Sequence, residues 1–323
     1  MRAWERRANM LSQAGTPGEL LDKLTKTGAI ASMERKSHID AFGASSLIVF
    51  AMVLAFNQVV IKVTNDGFSP VFVAALRSVI AIFVLGGWMK LRGISFPRGR
   101  EIIWMGLFSG VLFSFEFICL YVALDLTSVS RASVIFYSMP VWLALVAHLF
   151  LPGERLNATR LAGLGLAMAG VAVALMDRAG GEANLWGDLA ALGAAWGWGS
   201  VALILRFKPL NQIKPEAQLM WQILVSAVIL TAVAPLFGPL IREPEMLHVA
   251  GIAFQSLGVV CFGYVFWFWL LTIYPASSVA SFSFLSPVLS VLLGWWLLGE
   301  TIGVSIWVAL GLVVFGLMLI NRK

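Results

Sequence analysis

The sequence predicts an all-α integral membrane protein whose ten transmembrane helices form two five-helix repeats of inverted topology. Three observations predict it. Apolar residues fill 59% of the 323 positions and charged residues only 12%, whereas a soluble domain carries roughly 25% charged residues. The apolar residues come in runs of about 20, the length that matches a hydrocarbon core ~30 Å thick. The second half of the chain also repeats landmarks of the first at a nearly constant offset.

The elements follow in order. Residues 1–40 are polar and carry seven Lys or Arg, including Arg6, Arg7, Lys23, Lys26, Arg35 and Lys36. No apolar run of signal-peptide type precedes the first span, so no cleaved signal is expected. Met33, before Glu34-Arg35-Lys36, would also serve as a start, and the tail is expected to be disordered or to lie on the membrane surface. Spans are predicted at about 42–62, 70–89, 102–124, 131–150, 159–176, 185–205, 216–236, 247–270, 278–298 and 302–320. Turn residues separate them, as in Asn65-Asp66-Gly67, Arg98-Gly99-Arg100, Pro152-Gly153, Gly180-Gly181 and Gly238-Pro239. Backbone groups in lipid need partners within the segment, so these spans are expected to be helices.

Charge sets the orientation. With the N-terminus inside, eighteen of the 23 Lys and Arg face the cytoplasm and four face outward, while Arg77 lies within a span. Both termini are therefore expected in the cytoplasm of a multi-pass inner (plasma) membrane protein. The same placement accounts for the net charge of +6 without nucleic acid. Cys119 and Cys261 sit inside apolar runs and read as small buried side chains. His38, His148 and His248 are too scattered to bind a metal, and no metal or other cofactor is expected.

The repeat carries the functional argument. Gly110-Val111 recurs at Gly258-Val259, Ala132 and Pro140 as Ala280 and Pro287, Gly153-Glu154 as Gly299-Glu300, and Gly165 with Gly170 as Gly311 with Gly316. The offsets stay within 144–148 residues, so the organisation is a basic tail over 1–40, a first repeat over 41–177 and a second over 185–321. Five helices per copy force the second copy to enter from the opposite face. Inverted repeats are the architecture of alternating-access carriers, with substrate held near the midplane.

These residues also carry a resemblance. The first half has Asn57 before Lys62, Ser69-Pro70 with Arg77, Tyr121-Val122-Ala123-Leu124, Ser128-Val129-Ser130-Arg131-Ala132, Pro140, Gly153-Glu154-Arg155 and Gly165. The second half has Pro275-Ala276, Ala280, Pro287, Gly299-Glu300 and Gly311. In order and duplication, over about 42–320, the chain resembles the EamA type of the drug/metabolite transporter superfamily. The resemblance implies ten helices, transport of a small metabolite, export as its direction, and a homodimer contact through helices five and ten. The second half departs at Gln222, where the first has Arg77.

Charges in the bilayer cost at least ~2.5–3.5 kcal/mol near a helix centre and need a partner, a wet cavity or a function. Glu116, within Phe113-Ser114-Phe115-Glu116-Phe117, reads either as a proton-coupling carboxylate or counter-charge for a cationic substrate group, or as a structural partner of Arg77 or Arg131. Its counterpart is Tyr264. Arg77 suits a substrate carboxylate through its rigid fork of donors, with a structural role opposite Glu116 or at a helix end as the plainer reading. Arg131 is expected near the outer face as a gate partner or a snorkelling residue.

Pro140 and Pro287 fall mid-span in helices four and nine, where a missing backbone donor bends a helix. Tyr137, Ser138, Ser283 and Ser286 would line a cavity beside them. Glu154 and Glu300 are expected to cap helices five and ten at opposite faces. Trp88, Trp104, Trp186 and Trp307 read as interface anchors, while Trp196, Trp198, Trp267 and Trp269 lie deeper and either stack on substrate or face lipid. Asn57, Arg77, Glu116, Tyr137, Pro140, Trp196, Tyr264, Trp267, Ser283 and Pro287 are thus the substrate or coupling candidates, and Arg131, Glu154 and Glu300 the gate or interface candidates. No GxxxxGK[ST] loop supports ATP drive. A secondary carrier for an amino acid or related amphipathic compound is the expectation, and an integral-membrane enzyme, a passive pore or a regulatory membrane subunit are its rivals.

Overall fold

A computed structural model of the chain describes residues 40–150, 157–177, 184–263 and 284–321, with Phe266, Trp269, Leu270, Ile273 and Tyr274 between the last two segments. The elements are α1 (Ala41–Gly67), α2 (Pro70–Leu91), α3 (Arg100–Leu126), α4 (Val129–Phe136), α5 (Met139–Phe150), α6 (Ala158–Met176), α7 (Leu185–Ile204), α8 (Pro215–Val233), α9 (Met246–Ala253), α10 (Leu285–Leu298) and α11 (Val304–Asn321). A π-helix, Phe254–Gly263, continues α9, and 3₁₀ turns span Leu210–Gln212 and Ala234–Phe237.

Local chemistry starts these helices where they start. Asp40, Asn157 and Asn184 accept hydrogen bonds from first-turn amides of α1, α6 and α7, satisfying donors that have no partner within the helix. Pro70 and Pro215 open α2 and α8, where a missing N–H costs nothing. Pro140 acts otherwise. The expected single fourth span is two helices, α4 and α5, broken at Tyr137-Ser138, because Pro140 has no amide to offer the carbonyl of Phe136. Ser138 closes the break by donating its hydroxyl to the Ile135 carbonyl at 2.6 Å. Pro287 falls in the first turn of α10.

Among the described residues, six stretches are long and apolar enough to cross a membrane: Ala41–Gly67, Pro70–Leu91, Arg100–Leu126, Val129–Val146, Ala158–Met176 and Pro215–Phe237. Shorter apolar helices cover Met246–Val260, Leu285–Leu298 and Val304–Ile320. Helix α7 has 20 residues but lies outside that set, since Gly, Trp and Asp188 dilute its hydropathy. Large apolar side chains such as Phe83, Val228 and Trp296 are exposed, as lipid-facing side chains of a bundle are.

Packing joins the first half of the chain to the second. Helix α6 lies along α11, α3 along α7, and α2 along α8. Helix α1 packs on α10 and α9, α7 on α4 and α5, α8 on α3, and α2 on the π-helix. Association in lipid has no hydrophobic drive between helices, so close van der Waals approach matters more. At the α6–α11 crossing a Cβ on Gly163 would lie 2.7 Å from the Gly316 carbonyl oxygen, and one on Gly170 would lie 2.7 Å from that of Ala309. Only glycine permits that approach.

One end of the bundle gathers the close of α1, α3, α8 and α10 with the start of α2, α4, α7, α9 and α11. There Ser69 N–H donates to the Leu240 carbonyl and Arg242 N–H to that of Gly67, both at 3.0 Å, beside an antiparallel bridge of Phe68 with Ile241.

Candidate functional site

Arg77 lies two turns into α2 and is 5% exposed. Its guanidinium carbon sits 4.3 Å over the ring of Phe117, and Nη1 reaches the Tyr121 hydroxyl only at 3.5 Å. Nε has no acceptor. A guanidinium carries five donors in a fixed fork, so this one is poorly satisfied. Tyr121 instead donates to Gln255 Oε1 at 2.5 Å, Gln255 Nε2 donates to Thr64 Oγ1 at 3.0 Å, and Asn65 Nδ2 donates to the Tyr121 carbonyl at 3.0 Å. This chain of bonds crosses from α1 and α3 to the π-helix. Such π segments within α-helices recur at functional sites, because the wider turn redirects side chains.

Glu116 stands on α3 beside Phe117 and is 1% exposed, with no hydrogen-bond partner for either carboxylate oxygen. Helix α7 presses against its backbone: a Cβ on Gly197 would lie 3.0 Å from the Glu116 Cβ. Arg77 and Glu116 stand on the packed helices α2 and α3 with no hydrogen bond between them. Asn57 Oδ1 and Gln58 Oε1 on α1, and Gln222 Nε2 on α8, are likewise buried without a partner. Buried polar atoms are paired in the large majority of cases, so each of these exceptions calls for a physical reason. Tyr137, at the α4–α5 break, faces Ser286 and Ser290 of α10 and Gln58 of α1.

The gathered end of the bundle carries a second constellation. Arg131 in the first turn of α4 pairs with Asp188 in the first turn of α7, Nε to Oδ1 at 2.6 Å and Nη2 to Oδ2 at 2.8 Å, and both are buried. The Glu300 carboxylate accepts from Val129 N–H at 2.6 Å, Ser130 N–H at 2.9 Å and the Ser130 hydroxyl. It therefore caps α4, where a negative charge suits the helix dipole. At the rim, Arg242 donates to both Asp125 oxygens and to the Asn65 carbonyl. The hydrogen bond to Asp125 holds the Arg242 guanidinium above its ordinary pKa.

Several expectations need correction. Arg131 does not snorkel, because Asp188 offers it a two-pronged partner inside the protein. Glu116 has neither Arg131 nor a hydrogen-bonded Arg77 as partner. Glu300 caps α4, 170 residues away in sequence, and not the following helix α11. Trp196 is 47% exposed and edge-on to Phe115, apart from the groups around Arg77. Asn57, Tyr137 and Pro287 are buried, and Pro140 is half-buried at the α4–α5 break. Tyr264, Trp267, Ser283 and Glu154 lie outside the described residues. Sequence reasoning missed Asp188, since a carboxylate in a first helical turn reads as a dipole cap. It also missed Gln255 and Gln58, uncharged residues with no motif to mark them.

Together the apolar helices and buried polar interior define a multi-pass helical membrane protein of the transporter class. A model described as the EamA-like transporter family matches residues 41–176 and 185–322. The chain belongs to this family. The uncharacterized inner membrane transporter YedA of Escherichia coli (strain K12) is 24% identical over 296 residues, covering 90% of this chain and 93% of the relative. The aromatic amino acid exporter YddG of Ancylobacter novellus is 27% identical over 261 residues, covering 77% and 87%. A solved crystal structure matches with a TM-score of 0.62 at 23% identity, over 85% of this chain and 96% of that one, and bears on the fold alone.

Proposed function

We propose that the chain is a secondary carrier that exports an amino acid or related amphipathic metabolite across the inner membrane by alternating access. The observation that carries this reading is the α6–α11 crossing. Gly170 and Gly316 hold equivalent places in the two halves, as do Gly163 and Ala309, and each member packs on the non-equivalent member of the other half. A two-fold axis relating antiparallel copies produces that pattern. The helix pairings support it too: exchanging the halves turns α1–α10 into α7 on α4–α5, and α3–α7 into α9–α1. Ten spans in two inverted repeats, 41–177 and 185–321, with both termini cytoplasmic, complete the reading.

In this reading the gathered end is the outer face, and it is shut. Glu300 and the Arg131–Asp188 pair tie α4 to the second half, so outward opening must break them. Glu116 then serves as the coupling or counter-charge group. The relatives' transporter names support carriage over an enzyme or a pore. The test is flux in proteoliposomes for a panel of amino acids, nucleosides and organic cations. Saturable uptake with counterflow is expected. No flux for any member would defeat the proposal, and unsaturable flux would make the protein a pore.

A further inference from the structure

We propose that Arg77 and Glu116 are the two poles of a substrate anchor that selects compounds bearing a carboxylate and an ammonium close together. This rests on the transport reading and adds the charge pattern of the ligand. Two opposite charges buried near each other ordinarily close into a hydrogen-bonded pair, because each otherwise carries the cost of leaving water. These two do not. Arg77 lies over the Phe117 ring and keeps Nε unused, and Glu116 keeps both oxygens unused, at 5% and 1% exposure. One pole therefore offers donors and the other offers acceptors, beside the apolar rings of Phe113 and Phe117.

A zwitterion satisfies both poles in one step, its carboxylate taking the guanidinium fork and its ammonium donating to Glu116. An amine alone leaves Arg77 unmatched, and an acid alone leaves Glu116 unmatched. Discrimination of that kind is strong, because rejection comes from the site's own unpaired polar group. The apolar remainder of the ligand meets a rail along one face of α3, where Phe113, Phe117 and Tyr121 are spaced at 4.5 and 5.9 Å between ring centroids. The rail makes phenyl compounds the natural probes.

The experiment compares uptake of L-phenylalanine, phenethylamine and 3-phenylpropionate in proteoliposomes of wild type, Glu116→Gln and Arg77→Gln. Wild type is expected to prefer the zwitterion. Glu116→Gln should shift the ratio of phenylpropionate to phenylalanine uptake upward by about 10- to 100-fold, and Arg77→Gln should shift the phenethylamine ratio upward equally, the worth of a charged hydrogen bond. Glu116→Asp and Arg77→Lys keep the charges and should keep the zwitterion preference, which separates recognition from folding. Flux with the same preference in all variants, or a wild-type preference for a singly charged probe, would overturn this proposal and leave transport standing. No flux for any probe or panel compound would remove both.

Discussion

Replacing Asp188 with Asn tests the proposed closed outer face most directly. The substitution preserves shape and removes the charge that holds Arg131 at 2.6 and 2.8 Å in a dry site. Breaking one partner of a buried pair costs about 3–5 kcal/mol, since the other charge is left uncompensated. If α4 swings into water in the outward-open state, the cost falls on the closed state alone. The closed-to-open ratio should then drop by roughly two to three and a half orders of magnitude, each 1.4 kcal/mol being about tenfold. Ser133 lies two residues after Arg131 in α4 and is fully buried, so a Ser133→Cys reporter measures the opening of α4 with a membrane-impermeant maleimide added from outside. Labelling of the Asp188→Asn variant should be at least about tenfold faster than that of the reporter alone. Adding Arg131→Gln removes the stranded charge and should bring labelling back toward the parent rate. Unchanged labelling in a variant that elutes as one folded species would refute the reasoning, because the pair would then stay joined in both states.

Other outcomes follow from the same structure. Gly163→Val should lower the thermal stability of purified protein by the ~1–3 kcal/mol typical of overpacking, because Gly316 backbone fills the space; Gly165→Ala, with nothing within 4 Å, should be silent. Tyr121→Phe leaves Gln255 Oε1 without its donor and should destabilise by about 1–3 kcal/mol in a denaturation series, with Asn65 still bonded to the residue 121 carbonyl. Asp125→Asn should cost at most about 1 kcal/mol, since its partner Arg242 is part-exposed and screened. The sign with pH is definite: a cation whose pKa is raised in the fold contributes fully below its ordinary range and loses that contribution only above it. The Asp125→Asn increment should therefore be equal at pH 7 and pH 10. Glu116→Gln should abolish any pH dependence of transport under the coupling reading, and a retained dependence would remove the coupling role.

Much of the fold is legible in the order of residues. Runs of apolar side chains report lipid because each span answers to the bilayer alone, and the repeat of Gly170 as Gly316 survives in sequence because the same close helix crossing occurs twice. Arg77 and Glu116 are legible for a related reason: charge in an apolar run is costly wherever the helix goes. The partners are another matter. Nothing near Arg131 in sequence announces Asp188, 57 residues on, and nothing near Glu300 announces the open amides of α4. Nor does sequence announce that Arg77 and Glu116 stay unbonded. The sequence by itself determined which residues must avoid lipid. Only the tertiary structure decided where each one went, because a side chain reaches a few ångströms and the helix crossings set which few lie within reach.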